Sequence, residues 1–389
     1  MWNIGIDERR ARLGVRHHLA TTAYAPDPAE AARGVVALHA TDPASVFLSI
    51  RARTPSVDAG AIEHALYEER TLIRMLGMRR TMFVVPTDTA PVVQAACTRA
   101  IAAAQRRTYA RFIADGSLGD GAWLAEVEDA TARALAGLGE ATGTQLSAAE
   151  PRLRSQVRMA EGKAYGRTQS ITTWVLFLLA ADGRIVRGRP NGGWTSSQWR
   201  WSPVDRWLPG GMADLPVEAA RAELVRRWLA AYGPGTVADL RWWTGWTAAQ
   251  VKQALTAVKP VEVDLGGTTG LVLNDDDRPA TAPEPWVALL PALDPTAMGW
   301  QERSWYLGDH APALFDRSGN VGPTVWSDGR IVGGWAQRAD GEVVYRLLED
   351  VGDEKAAEVE AAAARLAGWL GAVRVVPRFR TPLERELTA

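Results

Sequence analysis

Three polar residues lie close together in the segment 35–53, and their side chains offer acid–base chemistry. They are His39, Thr41 and Asp42, placed where one predicted helix ends and the next begins. An imidazole with an unperturbed pKa of about 6.5 can accept a proton near neutrality. A hydroxyl can orient a water molecule, and a carboxylate can stabilise a nearby positive charge. A helix junction can present such side chains to a partner from a rigid scaffold.

Each of these residues also has an ordinary structural explanation. Asp42 precedes Pro43, and an aspartate before a proline at the first helical position is a common helix start, worth about 1 kcal/mol. Thr41 can hydrogen-bond within the same turn. His39 follows Leu38 on the last predicted turn of its helix, where a positive charge suits the helix dipole. From the local pattern alone, both the chemical and the structural interpretation stay open.

The elements that carry these residues form a helical unit that ends in a hairpin. Asp27-Pro28 and Asp42-Pro43 supply two helix starts, and the pattern predicts helices over residues 7–20, 27–40, 42–53 and 58–69. Short apolar strands over 72–76 and 81–85 then flank a turn that contains Arg79 and Arg80. We therefore predict a basic hairpin with the features of a wing.

The same order of elements returns twice further along the chain. Helices over 121–139 and 170–181 precede strands over 184–189 and 194–201. Helices over 217–232, 236–243 and 247–258 precede strands over 261–265 and 270–273. A helix, a short helix, a second helix and a hairpin match the winged helix-turn-helix plan, whose last helix can enter the major groove of DNA.

The remainder of the chain changes character. Residues 274–285 hold three consecutive aspartates and three prolines, which is typical of a linker. Beyond it, alternating apolar residues predict strands over 287–290, 324–326, 330–335 and 342–348, then a helix over 354–369 and a last strand over 373–376. We predict an α+β fold of tandem winged helix-turn-helix units followed by a small β-rich, partial-barrel C-terminal domain. The predicted domains are residues 1–115, 116–212, 213–277 and 278–389.

Composition restricts the class of protein. The chain has 389 residues, of which 47% are hydrophobic, so it is too long for one ordinary core and should form a globular protein of several domains. It contains no apolar run of membrane-spanning length and no secretory signal pattern, so we expect a cytoplasmic, nucleoid-associated protein. Cys97 is the one cysteine, and the five histidines have no cysteine partners. We therefore expect no disulfide, no metal and no cofactor.

The net charge of −1 hides an asymmetry along the chain. Residues 1–210 carry 26 basic against 20 acidic residues, whereas residues 211–389 carry 18 against 25. Forty of the 44 basic residues are arginine, which suits bidentate phosphate contacts, although a GC-rich genome produces the same bias. The arginines that we predict to contact DNA follow the polar junction or lie on the first hairpin and in the second unit: Arg51, Arg53, Arg79, Arg80, Arg152, Arg154, Arg158 and Arg200. A solvated arginine face is the alternative for each cluster, and core packing is our explanation for most of the 17 tryptophans.

The order and wording of several segments resemble the winged-helix DNA-binding domain family that includes the AlkZ-like DNA glycosylases. The resemblance runs over nearly the whole chain, through LHATDPASVFLSIRAR, MRRTMFVVP, RRWLAAYGPGTVADLRWWTGW, LLPALDP and GNVGPTVWSDGRIVGGW. Characterised members excise N7-alkylated purines, including bulky and crosslinked ones, and are often tied to resistance to DNA-alkylating natural products. The resemblance thus implies a DNA glycosylase that clasps double-stranded DNA in a C-shaped cleft.

The motif at the helix junction departs from that family's pattern. Characterised members carry Gln-Φ-Gln or Gln-Φ-Asp, where Φ is apolar, and the aligned residues here are His39-Ala40-Thr41. On this alignment we assign His39 as general base, Thr41 as the residue that positions water, and Asp42 as a stabiliser of the cationic sugar. An N7-alkylated purine already bears a positive charge, so it needs no protonation to leave.

A non-enzymatic binding protein is the main alternative. A winged-helix transcriptional regulator or lesion sensor would use the same arginines and would require nothing of His39. A regulator normally dimerises on a palindromic site, and the sequence shows no heptad pattern. Three tandem units favour a monomer on double-stranded DNA that contains alkylated purines, with no membrane contact.

Overall fold

The structure is a computed structural model that describes residues 2–159, 167–276 and 278–389. Its first part contains these elements: β1 (Trp2–Asn3), α1 (Ile6–Arg16), α2 (Pro28–Arg33), β2 (Leu38–His39), α3 (Pro43–Arg53), α4 (Ala59–Tyr67), β3 (Leu72–Leu76), β4 (Met82–Pro86), α5 (Ala90–Val93) and α6 (Arg99–Asp115). Strands β2, β4 and β3 form an antiparallel sheet in that order. The two Asp-Pro pairs start helices as predicted, because the Asp27 and Asp42 side chains accept from backbone N–H groups of α2 and α3.

The predicted helix over 27–40 is wrong in its second half. It ends at Arg33, and Val36 adopts a left-handed φ of 62° that a helix does not contain. Leu38 and His39 then pair with Val84 and Phe83 of β4. Pairing with a strand more than 40 residues away therefore overrides the local helical pattern in this segment.

The second part continues with α7 (Gly121–Leu138), β5 (Ala141–Thr142), α8 (Gly143–Ala149), β6 (Gln156–Met159), β7 (Arg167–Ser170), α9 (Thr172–Ala181), β8 (Ile185–Pro190) and β9 (Trp199–Pro203). Strands β5, β9 and β8 form one sheet, and β6 pairs with β7. The last strand begins at Trp199, five residues later than predicted, because Gly192 and Gly193 open a longer loop. A separate hydrophobic cluster, which includes Tyr109, Trp174 and Trp201, forms the core of this part.

The third part comprises α10 (Val217–Tyr232), α11 (Val237–Thr244), α12 (Ala248–Val258), β10 (Val261–Asp264) and β11 (Thr269–Val272). Capping boxes at Thr236 and Thr247 start α11 and α12, and Gly245 ends α11 in the left-handed conformation that favours glycine. Strand β1 adds to β10 in parallel, so the N-terminus completes this sheet. The linker follows, and Asp277, the third of its aspartates, lies outside the described residues.

The C-terminal part contains β12 (Val287–Leu290), α13 (Ser304–Leu307), α14 (Ala311–Leu314), β13 (Thr324–Ser327), β14 (Arg330–Gln337), β15 (Val343–Leu347), α15 (Asp353–Leu370) and α16 (Pro382–Leu387). The four strands form an antiparallel sheet in the order β12-β13-β14-β15, which stays open and does not close into a barrel. Residues 373–376 are not a strand, because the Val375 N–H donates to the Gln337 side chain and no strand pairs with this segment. The chain is thus a mixed α+β protein, as predicted.

Two hydrophobic clusters join the parts and place α3. One cluster draws Leu13, Val93, Trp228 and Trp326 from the first, third and C-terminal parts. The other contains residues of α3, β12 and α15, and α3 contacts β12 of the C-terminal part as well as α2 and α4 of the first part. Helix α3 is therefore held between the first part and the C-terminal part. None of the described helices combines the length and the apolar composition that a membrane span requires.

Candidate functional site

The segment 38–42 is fixed by β4 on one side and by α3 on the other. His39 pairs with Phe83 in the antiparallel ladder, and the Ala40 N–H donates to the Met82 carbonyl over 2.8 Å. Helix α3 begins directly afterwards, so His39, Thr41 and Asp42 sit on a strand end and a tight connection. They stay close together, as predicted, but His39 is on a strand and not on a helix.

His39 is almost enclosed. The residue is 9% exposed, and its Nδ1 atom is buried with no hydrogen-bond partner. Its ring meets that of Phe83 edge-on, with centroids 5.5 Å apart. Burial, together with the positive charge of Arg79, lowers the pKa of His39 to about 3. The imidazole is therefore neutral near pH 7, and the explanation of His39 as a cation at a helix C-terminus is wrong.

Asp42 is the N-cap of α3, and a second contact ties it to the C-terminal part. One carboxylate oxygen accepts from the Ala44 N–H over 3.1 Å, and the other accepts from the Arg378 N–H, also over 3.1 Å. Burial raises the pKa of Asp42, and the two N–H groups and the charges of Arg378 and Arg74 counteract this effect. Thr41 is half-buried beside it, and its carbonyl oxygen lies 3.5 Å from the Arg378 guanidinium. The capping role is confirmed, and it leaves the Thr41 side chain as the more accessible polar group.

Arg74 contacts the backbone of Ala40, the middle residue of the motif, and the sequence analysis did not identify it. This residue of β3 is 4% exposed, and its Nη1 donates to the Ala40 carbonyl over 2.9 Å. Its guanidinium lies 4.3 Å from the ring centroid of Trp199, so it joins the first sheet to β9 of the second part. The signal that was available is a charged residue inside the otherwise apolar strand Leu72–Leu76.

The tip of the β3–β4 hairpin turns toward the third part. Arg79 and Arg80 have left-handed φ values of 52° and 59°. The guanidinium of Arg79 lies 4.1 Å from the centroid of Trp242 in α11, and its buried Nε has no hydrogen-bond partner. Burial and the charge of Arg303 lower the pKa of Arg79 to about 10. Arg80 is exposed, and its guanidinium lies 5.5 Å from the Phe177 ring. The hairpin tip is therefore packed against its neighbours instead of projecting freely.

Arg53 is not available to DNA, so its predicted phosphate contact is wrong. Its side chain is completely buried and forms two hydrogen bonds of 2.8 and 2.9 Å with the Asp294 carboxylate. Ser49 donates to the same carboxylate, and Arg53 also donates to Thr296, whose hydroxyl contacts the buried His17. This network, which we call the Asp294 network, lies behind α3 and satisfies the charge of Arg53 inside the protein.

The other predicted arginines differ in accessibility. Arg51 is half-buried, with its Nε enclosed and unpartnered. Arg152 is half-exposed and paired with Glu150 at 2.8 Å, and Arg200 lies 3.4 Å from Glu140. Arg154 and Arg158 are exposed. Arg154 lines a polar groove of the second part with hydroxyl and amide side chains: Thr142, Ser147, Thr172, Asn191 and Gln198. These residues remain predicted DNA contacts.

Comparison with known proteins covers most of the chain. A family profile described as DNA glycosylase AlkZ-like matches residues 32–369. The interstrand DNA cross-link repair glycosylase of Streptomyces sahachiroi is 28% identical over 178 residues, which cover 43% of this chain and 47% of that protein. That match thus spans about half the length of the relative. The solved structure of the Streptomyces sahachiroi DNA glycosylase AlkZ matches with a TM-score of 0.74 at 19% identity, over 96% of this chain and 98% of that one, and this likeness shows the fold.

The family resemblance read from the sequence segments is confirmed by the profile. The matched residues include the motif segment 38–42, the hairpin β3–β4 and the segment that contains Asp294. Because the family profile matches most of the 389 residues of this chain, the chain belongs to the AlkZ-like DNA glycosylase family.

Proposed function

We propose that this protein hydrolyses the N-glycosidic bond of cationic N7-alkylated purines in double-stranded DNA, acting as a monomer. Family membership supports the reaction class. The name of the relative, an interstrand DNA cross-link repair glycosylase, supports a role on bulky or crosslinked adducts. The observation that carries the proposal is a nearly buried histidine, held by β4 at the family's motif position, whose lowered pKa keeps its imidazole neutral.

The proposed reaction requires little from the protein. Alkylation at N7 places a positive charge on the purine, so the base can leave without being protonated. The bond between C1′ of the sugar and N9 of the purine breaks, and its electron pair neutralises the purine. The oxygen of water forms a bond to C1′, and the water loses a proton to a base. The protein must hold this water, accept its proton and stabilise an oxocarbenium-like sugar.

His39 is the proposed proton acceptor. Its lowered pKa keeps the imidazole neutral, so a lone pair is available at every physiological pH. Since Nδ1 has no contact with solvent, the exposed 9% of the residue belongs to its other atoms, and Nε2 is the ring nitrogen that meets the water in this proposal. A histidine with so low a pKa is a weak base, and the transfer becomes favourable only as the attacking water gains positive charge in the transition state.

Thr41 and Asp42 complete the proposed site. The half-buried Thr41 is the accessible hydroxyl next to His39, and we assign it the orientation of the water. Both oxygens of Asp42 accept backbone N–H groups, so this carboxylate does not move toward the substrate. Its proposed contribution is electrostatic: a fixed negative charge near the site favours the cationic sugar.

Release of the free base from a defined duplex tests this function. The substrate is a duplex with one N7-methylguanine, and the reaction is followed under single turnover, with protein in excess and EDTA present. Free base is measured by chromatography, and abasic sites are measured by alkaline cleavage. We expect release from the alkylated duplex and none from the unmodified duplex. An undamaged-sequence preference without base release would indicate a binding protein instead.

Replacement of His39 tests its assigned role. We expect His39→Ala to slow base release by about 10² to 10⁴-fold, the usual contribution of a positioned acid or base. His64→Ala is the matched control, because His64 is half-exposed on α4 and lies beside Glu68 and Glu69 on the surface. Base release by His39→Ala at the wild-type rate would remove His39 from the mechanism and leave the glycosylase proposal standing.

A further inference from the structure

Two arginines from distant parts of the chain share one tryptophan beside the candidate site. Trp242 lies in α11, and the guanidinium carbon of Arg79 is 4.1 Å from its ring centroid. The guanidinium carbon of Arg303, which immediately precedes α13, is 4.8 Å from the same centroid. We call these three residues the Trp242 cluster. It joins the first hairpin, the third part and the C-terminal part, and the charge of Arg79 reaches His39.

The positive charge of the Trp242 cluster is not balanced within the described part of the chain. Neither Arg79 nor Arg303 forms an ion pair with a carboxylate there. Arg303 donates from Nε to the Trp300 carbonyl over 2.9 Å, and the buried Nε of Arg79 has no partner. All three side chains are half-buried, so the cluster can be reached from solvent. Elsewhere, the fully buried Arg12 and Arg53 are paired with Asp276 and Asp294.

Two half-buried guanidinium groups without a carboxylate can bind an anion from outside the protein. Burial near a second cation is unfavourable for each, because charges of like sign repel strongly where water is scarce. A guanidinium offers several N–H donors in a plane, an arrangement that matches the oxygens of a phosphate group. Because both guanidinium groups already lie close to the indole, we do not expect Trp242 to stack a base in addition.

We propose that the Trp242 cluster binds one phosphodiester of the DNA strand whose damaged nucleotide lies at His39. This inference rests on the proposed function, because it assumes that the ligand is DNA. Trp242 orients the two arginines through cation–π contacts, and the bound phosphate neutralises Arg79 next to the imidazole. The cluster thus anchors the backbone next to the reacting sugar, and it makes protonation of His39 less unfavourable once DNA is bound.

The salt dependence of DNA binding tests the cluster without any chemistry. Binding of an undamaged duplex is followed by fluorescence anisotropy between about 50 and 200 mM salt. We expect Arg303→Gln and Arg79→Gln each to weaken binding and to lower the slope of log Kd against log salt by up to about 0.9, the full value for the one phosphate that they share. Arg226→Gln is the matched control, since Arg226 is a half-exposed arginine paired with Glu223 of its own helix.

A single neutral linkage then locates the phosphate. Methylphosphonate replaces one phosphate at a time on each side of an N7-methylguanine. We expect one position at which wild-type binding weakens and binding by Arg303→Gln does not weaken further. Competition by inorganic phosphate at constant ionic strength should be weak, because a phosphodiester gains affinity from the rest of the duplex. Effective competition at millimolar phosphate would instead indicate a site for the free ion and overturn the proposal.

The outcomes separate this proposal from the proposed function. An unchanged salt slope in both folded variants, judged by an unaltered melting temperature, would overturn the cluster's role even if base release were normal. A lowered slope without base release from any alkylated duplex would support the cluster and contradict the glycosylase. Arg303→Lys provides a second variant that retains the charge and loses the planar donors. We expect Arg303→Lys to preserve most of the salt slope and lose part of the affinity.

Discussion

Arg53 of the Asp294 network and Arg79 of the Trp242 cluster both follow the motif segment 38–42 in the chain. The two groups differ in whether a carboxylate pairs with the positive charge. In the network, the enclosed Arg53 meets a carboxylate, a hydroxyl and a backbone carbonyl. In the cluster, Arg79 and Arg303 contact the Trp242 indole, and Arg303 also contacts the Phe315 ring and donates to the Trp300 carbonyl. The comparison indicates that the role of each arginine depends on its partners in the fold, and not on its distance from the motif in the sequence.

The largest expected effect concerns the network. Asp294→Ala would leave the buried Arg53 without its carboxylate, and removing one member of a buried ion pair costs about 3–5 kcal/mol. The free energy of unfolding, measured by urea denaturation, should fall by this amount. Glu386→Ala is the control, because Glu386 pairs with Arg346 on the exposed surface, where such pairs contribute less than about 1 kcal/mol. Equal losses in the two variants would contradict the structural role of the network.

The next effect concerns the pH dependence of stability. The pKa of His39 is about 3 in the folded protein and about 6.5 in an unfolded chain. Between these values the unfolded chain binds more protons, so stability falls as the pH is lowered from 6.5 toward 3. His39→Gln should reduce this dependence by up to about 1.4 kcal/mol per pH unit in that window.

The buried His17 provides the internal comparison for this measurement. Burial and the charge of Arg53 lower its pKa to about 3 as well, so the wild type retains two such groups and the variant retains one. Thermal unfolding between pH 4 and 7 measures the change. A curve for His39→Gln that runs parallel to the wild type would mean that His39 titrates normally, and the neutral-imidazole mechanism would lose its basis.

Local signals predicted much of the fold, and contacts between distant residues account for the errors. The Asp-Pro pairs placed the starts of α2 and α3 because a cap depends on residues one to three positions away. The strand at Leu38–His39 exists only through β4, so its own residues could not indicate it. The predicted strand over 373–376 is wrong for a related reason: Val373 and Val375 pack into a hydrophobic cluster, but no described strand pairs with this segment.

The candidate site shows the same division. The motif triad is contiguous, so the sequence could bring it together. The supporting residues come from elsewhere: Arg74 reaches Ala40 from β3, and Trp242 and Arg303 lie more than 160 residues beyond Arg79. The sequence predicted a DNA contact for Arg53 and Arg79 alike. The carboxylate of Asp294, which is 241 residues from Arg53 in the chain, pairs with Arg53 and not with Arg79 in the described part of the chain.

The smallest expected effect on the free energy of unfolding concerns the Trp242 cluster. Arg303→Gln removes one cation from a cluster that has no carboxylate partner, so no buried charge is left unpaired. The lost cation–π contact is worth about 0.5–1 kcal/mol at a partly exposed site, and relief of the repulsion with Arg79 offsets part of it. Urea denaturation should therefore show a change below about 1 kcal/mol. Arg53→Gln, which strands the buried Asp294 carboxylate, should destabilise several times more. Removing one cation from an empty anion-binding site should cost the protein little stability, because the cations there are paired only when the ligand is bound. Equal destabilisation by Arg303→Gln and Arg53→Gln would therefore mean that the Trp242 cluster, like the Asp294 network, has a structural role.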